Sequence, residues 1–227
     1  MKVVSRGGEA GWLERNLELG MDMHAHTLSP ALAGRAPQAG FADPAVGAQA
    51  AFRVALEALA HPGRVLEIEA DCGVPAGMSP AMVALLLTLV DVDTPLWLPA
   101  GVDDEVRAFL RFHCGCSMVD QPGEARFAAL PRGHRAPALS LFNPGDPAYP
   151  DQSATLLIEA TDLERGRALT LSGPGIQDRA ALHVDGLEEG FWREWRLNHQ
   201  RFPLGVDLFL TQGRRICGLP RSTRVEN

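Results

Sequence analysis

Residues able to do chemistry fall in four short stretches of the 227-residue chain. The first is Asp91-Val-Asp93-Thr94, two carboxylates and a hydroxyl within four residues. That spacing suits an Asx turn, in which carboxylates accept turn amides; the same pair can bind a divalent cation or wall a polar pocket. The second is His113-Cys114-Gly115-Cys116, the one local run with the side chains of a soft-metal site or a reactive thiol. Three ligands so close together at a helix end are poorly spread for one tetrahedral ion. The four cysteines, Cys72, Cys114, Cys116 and Cys217, also lack the paired C-x-x-C spacing of structural zinc, so reduced, partly buried thiols are the expected state. The third stretch is a set of arginines able to hold an anion: Arg53, Arg64, and Arg111 next to His113. The fourth is Arg221 with Thr223, beyond the last expected strand.

Lys2 is the only lysine among the 21 basic residues. No lysine remains in the body of the chain to form a Schiff base, which excludes pyridoxal phosphate and lysine-aldolase chemistry in this chain. A net charge of −7 argues against non-specific nucleic-acid binding, which needs a basic face. It does not argue against a small anion held by local arginines. No apolar run approaches the roughly 18 residues of a membrane span, and the start lacks a basic segment followed by an apolar core, so the expected location is the cytoplasm.

The elements that must position these residues are organised around Leu85–Leu98, LLLTLVDVDTPLWL. Ser79-Pro80 reads as a cap followed by a first-turn proline. The helix after it is apolar nearly all round and should lie inside the domain. The acidic turn breaks it, and Pro95–Leu98 has the makings of a short buried strand. A helix feeding a strand through a tight turn is an α/β pattern.

Upstream, residues 1–40 are rich in Gly, Ala, Pro and Ser and read as a mobile arm, with Met21 or Met23 as alternative starts. His24 and His26 in that arm are expected to be solvated. Asp43-Pro44 caps a helix to Ala60 whose stripe is Val46, Ala50, Phe52, Val54, Leu56 and Leu59, ended by His61-Pro62-Gly63. Arg64–Ala70 alternates as a strand. Asp103 caps a helix ending near His113, and Glu124–Leu130 is a further strand. Pro131–Gln152 is mostly loop with a short helix near Leu139–Phe142. Thr155–Ala160 and Arg167–Leu171 read as a strand pair joined through TDLERG. Ser172-Gly-Pro-Gly175 lacks the continuation of a phosphate-binding motif and reads as a simple loop. Leu187–Gln200 is an amphipathic helix whose Trp192 and Trp195 suit either the core or a subunit contact. Val206–Leu210 and Ile216–Leu219 form a hairpin about Gln212-Gly213, and Asp207 in the first strand needs an arginine partner.

Together, Ala51-Phe-Arg53 with Pro62-Gly63, LLLTLVDVDTPLWL, Leu110-Arg-Phe-His113 and FPLGVDLFLTQGRRICGLPRSTRVE resemble the PhnH family, subunits of the bacterial carbon-phosphorus lyase system. The resemblance runs in order from about residue 43 to the C-terminus. It implies one α/β domain over residues 43–227, with a central mixed sheet flanked by helices, similar to pyridoxal phosphate-dependent transferases but without their cofactor. It further implies a homodimer that joins the G, I and J subunits in a core complex. That system exchanges the adenine of ATP for methylphosphonate, giving ribose 1-methylphosphonate 5-triphosphate, with the transferase chemistry attributed to the partners. The resemblance carries over no catalytic residue.

The leading expectation is a non-catalytic or assisting subunit. Its anion or substrate contacts would be drawn from Arg53, Arg64, Asp91, Asp93, Thr94, Arg111, His113, Arg221 and Thr223. The alternative is a free-standing thiol or metal hydrolase centred on His113, Cys114 and Cys116. A third reading, a stand-alone nucleotide-binding module, has no phosphate loop to support it.

Overall fold

A computed structural model describes residues 38–226. The arm expected over residues 1–40, with both alternative starts and its two histidines, therefore lies almost wholly outside the described residues.

Helix α1 (Pro44–Ala60) starts where Asp43 accepts the amides of Ala45 and Val46, and Pro44 fills the first turn. Its buried face matches the expected stripe only in part: Val54 and Leu59 are half-buried against the core. Ala51, Ala55 and Ala58 face the core, whereas Val46, Phe52 and Leu56 are exposed. The reason is distance: a Cβ on Gly218 would fall 2.6 Å from the Ala58 carbonyl carbon. Backbones this close admit only small side chains between them. Helix α2 (Pro80–Leu89) is capped by Ser79, and six successive residues, Ala81–Leu86, are buried, as an all-apolar helix requires. Helix α3 (Asp104–Cys114) is capped by Asp103 and ends at Gly115, whose φ of 64° is left-handed. Helix α4 (Phe191–Gln200) begins four residues later than its pattern suggested.

The strands are β1 (Val65–Glu67), β2 (Leu96–Trp97), β3 (Met118–Val119), β4 (Phe127–Leu130), β5 (Thr155–Glu159), β6 (Asp162–Ser172), β7 (Ala180–Asp185), β8 (Asp207–Gln212), β9 (Arg215–Leu219) and β10 (Arg224–Glu226). Seven form a mixed sheet in the order β1-β9-β8-β5-β4-β2-β3. Only β9 runs against the others, through its antiparallel pairing with β8 and β1. The expected hairpin of β8 and β9 forms, and Gly213 turns it with φ 59°. A central mixed sheet flanked by helices is thus present.

One expected pairing is absent. β5 is parallel to β4 on one edge and to β8 on the other, so no edge is left for the segment Arg167–Leu171. That segment belongs to β6, in a separate three-stranded sheet of order β10-β6-β7.

Alternate residues of the large sheet feed two cores. Ala129, Leu157, Phe209 and Ile216 pack with α1, α2 and α3. Leu130, Leu156, Ile158, Leu208 and Leu210 pack on the other face with α4 and the small sheet. Trp192 and Trp195 belong to this second core, and Trp195 has no exposed surface; the reading of these tryptophans as a subunit contact is therefore set aside.

Candidate functional site

The acidic turn and the thiols come together. Asp91 Oδ1 accepts the Asp93 amide at 3.0 Å and the Thr94 hydroxyl at 3.1 Å, while Thr94 Oγ1 accepts the Asp91 amide at 2.7 Å. This is an Asx turn closed by a threonine, and it enters β2 from its amino end. The end of α3 lies beside it, close enough for Asp91 to act electrostatically on Cys114 and Arg111 on Cys116. A hydrogen bond to Cys116, together with burial, pushes the Cys114 thiol up. The same hydrogen bond lowers Cys116. Both thiols are buried, and Cys114 Sγ also contacts the Leu86 carbonyl at 3.7 Å.

His113 does not join them. Its Nε2 lies 2.8 Å from the Gln38 carbonyl oxygen, and its ring packs against Phe109 and Phe112 with centroids 4.5 and 4.9 Å away. Among the described residues no group of three or more His, Cys, Asp or Glu side chains converges as a metal site would require.

The arginines are dispersed. Arg53 is exposed on α1 and Arg111 on α3. Arg64 is paired with Glu57 at 2.9 Å. Arg221, expected to project beyond the last strand, instead turns back. Its backbone N–H donates to Asp207 Oδ1 at 2.7 Å, its Nε to the same oxygen at 3.1 Å and its Nη1 to the Pro150 carbonyl at 2.7 Å, while Nη2 reaches Ser153 Oγ and Asp207 Oδ2. This supplies the partner that Asp207 requires, in the bidentate geometry that suits guanidinium and carboxylate. Thr223 is fully buried, and its Oγ1 has no hydrogen-bond partner among the described residues. Its carbonyl accepts Trp195 Nε1 at 3.0 Å.

The acidic turn, the thiol pair and the Arg221 clamp share one property: they lie at the amino ends of the parallel strands. Ligands of open α/β sheets lie at the carboxyl ends, where the strand order reverses. Here the reversal falls between β2 and β4, because β3 and β4 flank β2 on opposite sides. At the carboxyl ends of β4 and β5 there is a cavity of about 550 Å³, roofed by the loop Arg132–Leu139 and flanked by Asp185, Arg193 and the start of α4.

Glu159, the last residue of β5, lines this cavity and is 9% exposed. Its Oε2 accepts the Ser79 hydroxyl at 2.6 Å and the Thr211 hydroxyl at 2.5 Å. Ser79 is also the cap of α2, so the positive end of that helix approaches the same carboxylate. Burial nevertheless pushes the Glu159 carboxyl above its ordinary value, outweighing these hydroxyls, the Gly213 amide and the Arg132 charge.

The family model described as "Bacterial phosphonate metabolism protein (PhnH)" matches residues 39–226, nearly all of the described chain. The chain belongs to the PhnH family. It is similar, at 37% identity over 82% of this chain and 94% of the relative, to a protein of Rhizobium meliloti (strain 1021) named alpha-D-ribose 1-methylphosphonate 5-triphosphate synthase subunit PhnH. It is also similar, at 34% identity over 78% of this chain and 85% of the relative, to a Stutzerimonas stutzeri protein described as a proposed C-P lyase subunit, HtxG.

Sequence reading of this PhnH-family chain missed Glu159, Arg132 and Arg193. Glu159 ends an apolar strand, a pattern that marks a buried carboxylate and can be seen in the sequence. Its partners Ser79 and Thr211 are 80 and 52 residues away, and no local spacing reveals them.

Proposed function

We propose that this chain is a subunit of the carbon-phosphorus lyase system, required for forming ribose 1-methylphosphonate 5-triphosphate from ATP and methylphosphonate. The observation that carries this reading is its match to the Rhizobium meliloti subunit across 94% of that protein. In this reading the chain is an assisting subunit, forms a homodimer and docks the G, I and J subunits in the cytoplasm. The transferase chemistry resides in the assembled complex. The seven-stranded sheet with one antiparallel strand supports a kinship with pyridoxal phosphate-dependent transferases, and the confinement of lysine to Lys2 supports the lack of that cofactor. Of the sequence-derived anion contacts, Arg53 and Arg111 are the two arginines that are exposed and make no salt bridge among the described residues; the remainder, Arg64, Asp91, Asp93, Thr94, His113, Arg221 and Thr223, then serve to hold backbone and loops.

The test is complementation. A strain that grows on methylphosphonate as its sole phosphorus source, deleted for its own PhnH-type gene, should recover growth when this chain is supplied with its neighbouring operon proteins. Tagged chain from those cells should carry partner subunits by native mass spectrometry. Failure of both would refute the subunit reading. The Cys114→Ser, Cys116→Ser double variant should complement as wild type does; loss of growth with the folded variant present would revive the thiol enzyme.

A further inference from the structure

Cys114 and Cys116 are nucleophilic side chains to which the subunit reading gives no task. Both are free thiols. Cys114 ends α3, Gly115 follows at a left-handed φ of 64°, and Cys116 leads into β3. The turn folds the chain back on itself, so the two side chains meet in a hydrogen bond instead of pointing apart. One intervening residue in a helical turn keeps their Cα atoms within the roughly 7 Å beyond which no disulfide closes. Gly115 suits this turn twice over: few side chains adopt its φ, and a Cβ there would stand 3.0 Å from Val92 Cγ1. The Ser117 carbonyl, one residue on, accepts the Leu96 amide at 2.9 Å, so the pair sits where α3 joins the edge of the large sheet.

Burial sets the pair apart from the other cysteines. Cys217 has no exposed surface, and burial pushes its thiol up to about 12. Cys72 is half-buried, and burial with the nearby Asp71 charge pushes its thiol up as well. Cys114 and Cys116 keep 8% and 5% of their surface beneath the exposed Gly115 and Ser117, which leaves a short approach for a small reagent. The two sulfurs are unequal. The Cys114 S–H and the Arg111 charge favour a thiolate at Cys116, while the same hydrogen bond, burial and Asp91 hold the proton on Cys114. A thiolate beside a protonated thiol has the parts of thiol–disulfide exchange, an attacking sulfur and a resolving one.

We propose that Cys114 and Cys116 are a reversible thiol–disulfide pair, closed by a small-molecule disulfide such as glutathione disulfide, with Cys116 the attacking sulfur. The Cys116 thiolate attacks one sulfur of the oxidant, a mixed disulfide forms on Cys116, and one glutathione leaves as its thiolate. Cys114 then gives up its proton, attacks the Cys116 sulfur and expels the second glutathione. Two electrons pass from the pair to the oxidant, and the two protons of the pair end on the two released thiols. The closed bond ties the end of α3 to the start of β3, the edge strand of the seven-stranded sheet. The subunit reading does not use the pair, so the two fail separately.

Exposure of the purified full chain to excess glutathione disulfide, followed by alkylation, unfolding and tryptic mass mapping, tests it. Trypsin leaves both cysteines in one peptide, residues 112–126. In wild type that peptide should lose the mass of two hydrogen atoms, escape alkylation, carry no glutathione and regain both thiols with dithiothreitol. Cys114→Ser lacks the resolving thiol and should stop with glutathione on Cys116, whereas Cys114 in the Cys116→Ser variant should react about tenfold or more slowly. Circular dichroism matching that of wild type checks that both variants fold. A wild-type peptide that stays fully alkylated in excess oxidant, or one that keeps its glutathione, would overturn the pair. Equal reactivity of the two single variants would overturn Cys116 as the attacking sulfur.

Discussion

Arg221 shows how the surroundings of a side chain decide its role. Its guanidinium is only 12% exposed and its donors go to Asp207, Ser153 and the Pro150 carbonyl, so none remains for a ligand. Removing it leaves Asp207, itself 21% exposed, without its counter-charge. Arg221→Ala should cost about 3 kcal/mol of stability in urea unfolding, near the lower end for breaking a buried pair because this one is not fully dry. Arg221→Lys, which cannot reproduce the fork, should recover only part of that. Glu159 makes the opposite case, since burial holds its folded-state pKa above the ordinary 4.5. Such a group contributes stability that is fully present below the unfolded-state pKa and is lost as pH rises through the folded one. Glu159→Gln does not titrate. Relative to that variant, wild type should lose unfolding free energy as pH is raised above about 4.5, then level off; a pH-independent difference would contradict the raised pKa.

At the scale of elements, α1 illustrates what a hydrophobic pattern leaves open. Its large apolar residues Phe52 and Leu56 are about half exposed, at 45% and 52%, while alanines carry the contact with β9. Phe52→Ser should therefore shift stability by no more than about 0.5 kcal/mol. Ala58→Leu should cost about 1–3 kcal/mol, because the added side chain has no room beside Gly218. The loop after β6 makes a similarly close approach to the end of the same helix. A Cβ on Gly175 would fall 2.1 Å from the Ala60 carbonyl oxygen, at a φ of 82° that side chains rarely adopt. Gly175→Ala should lower the melting temperature more than Gly190→Ala, where a Cβ meets nothing within 4 Å. Gly175 of this loop thus serves packing against α1, whereas Gly173 makes room for the Ser222 carbonyl, 2.8 Å from where its Cβ would stand.

For the whole molecule, the large sheet is the shared wall of two cores. Successive residues of β5 serve opposite sides, Leu157 toward α1–α3 and Leu156 toward α4 and the small sheet. A sheet used this way cannot lose one core while keeping the other. Leu85→Ala on one side and Leu169→Ala on the other should each cost about 2–5 kcal/mol, as a cavity does. Each should lower the midpoint of one common unfolding transition over the described body; two separable transitions would show that the cores are independent. No helix among the described residues is long and apolar enough to cross a membrane.

Much of this was legible in the residues. Caps at Asp43, Ser79 and Asp103, the all-apolar helix after Ser79, the Asx turn at Asp91 and the hairpin about Gly213 depend on neighbours within a few positions, so local sequence determined them. The motifs from Arg53 to Glu226 likewise determined the family. Tertiary structure alone decided which face of α1 is buried, because that depends on how closely Gly218 on a distant strand approaches. It also separated β6 from β5, since an edge can be seen as occupied only once β4 and β8 are in place. It turned Arg221 inward and drew Ser79, Glu159 and Thr211 to one point, through contacts spanning 14 to 80 residues. Side-chain chemistry is written in the sequence; whether a charged group meets solvent, a partner or a cavity is a property of the packing that surrounds it.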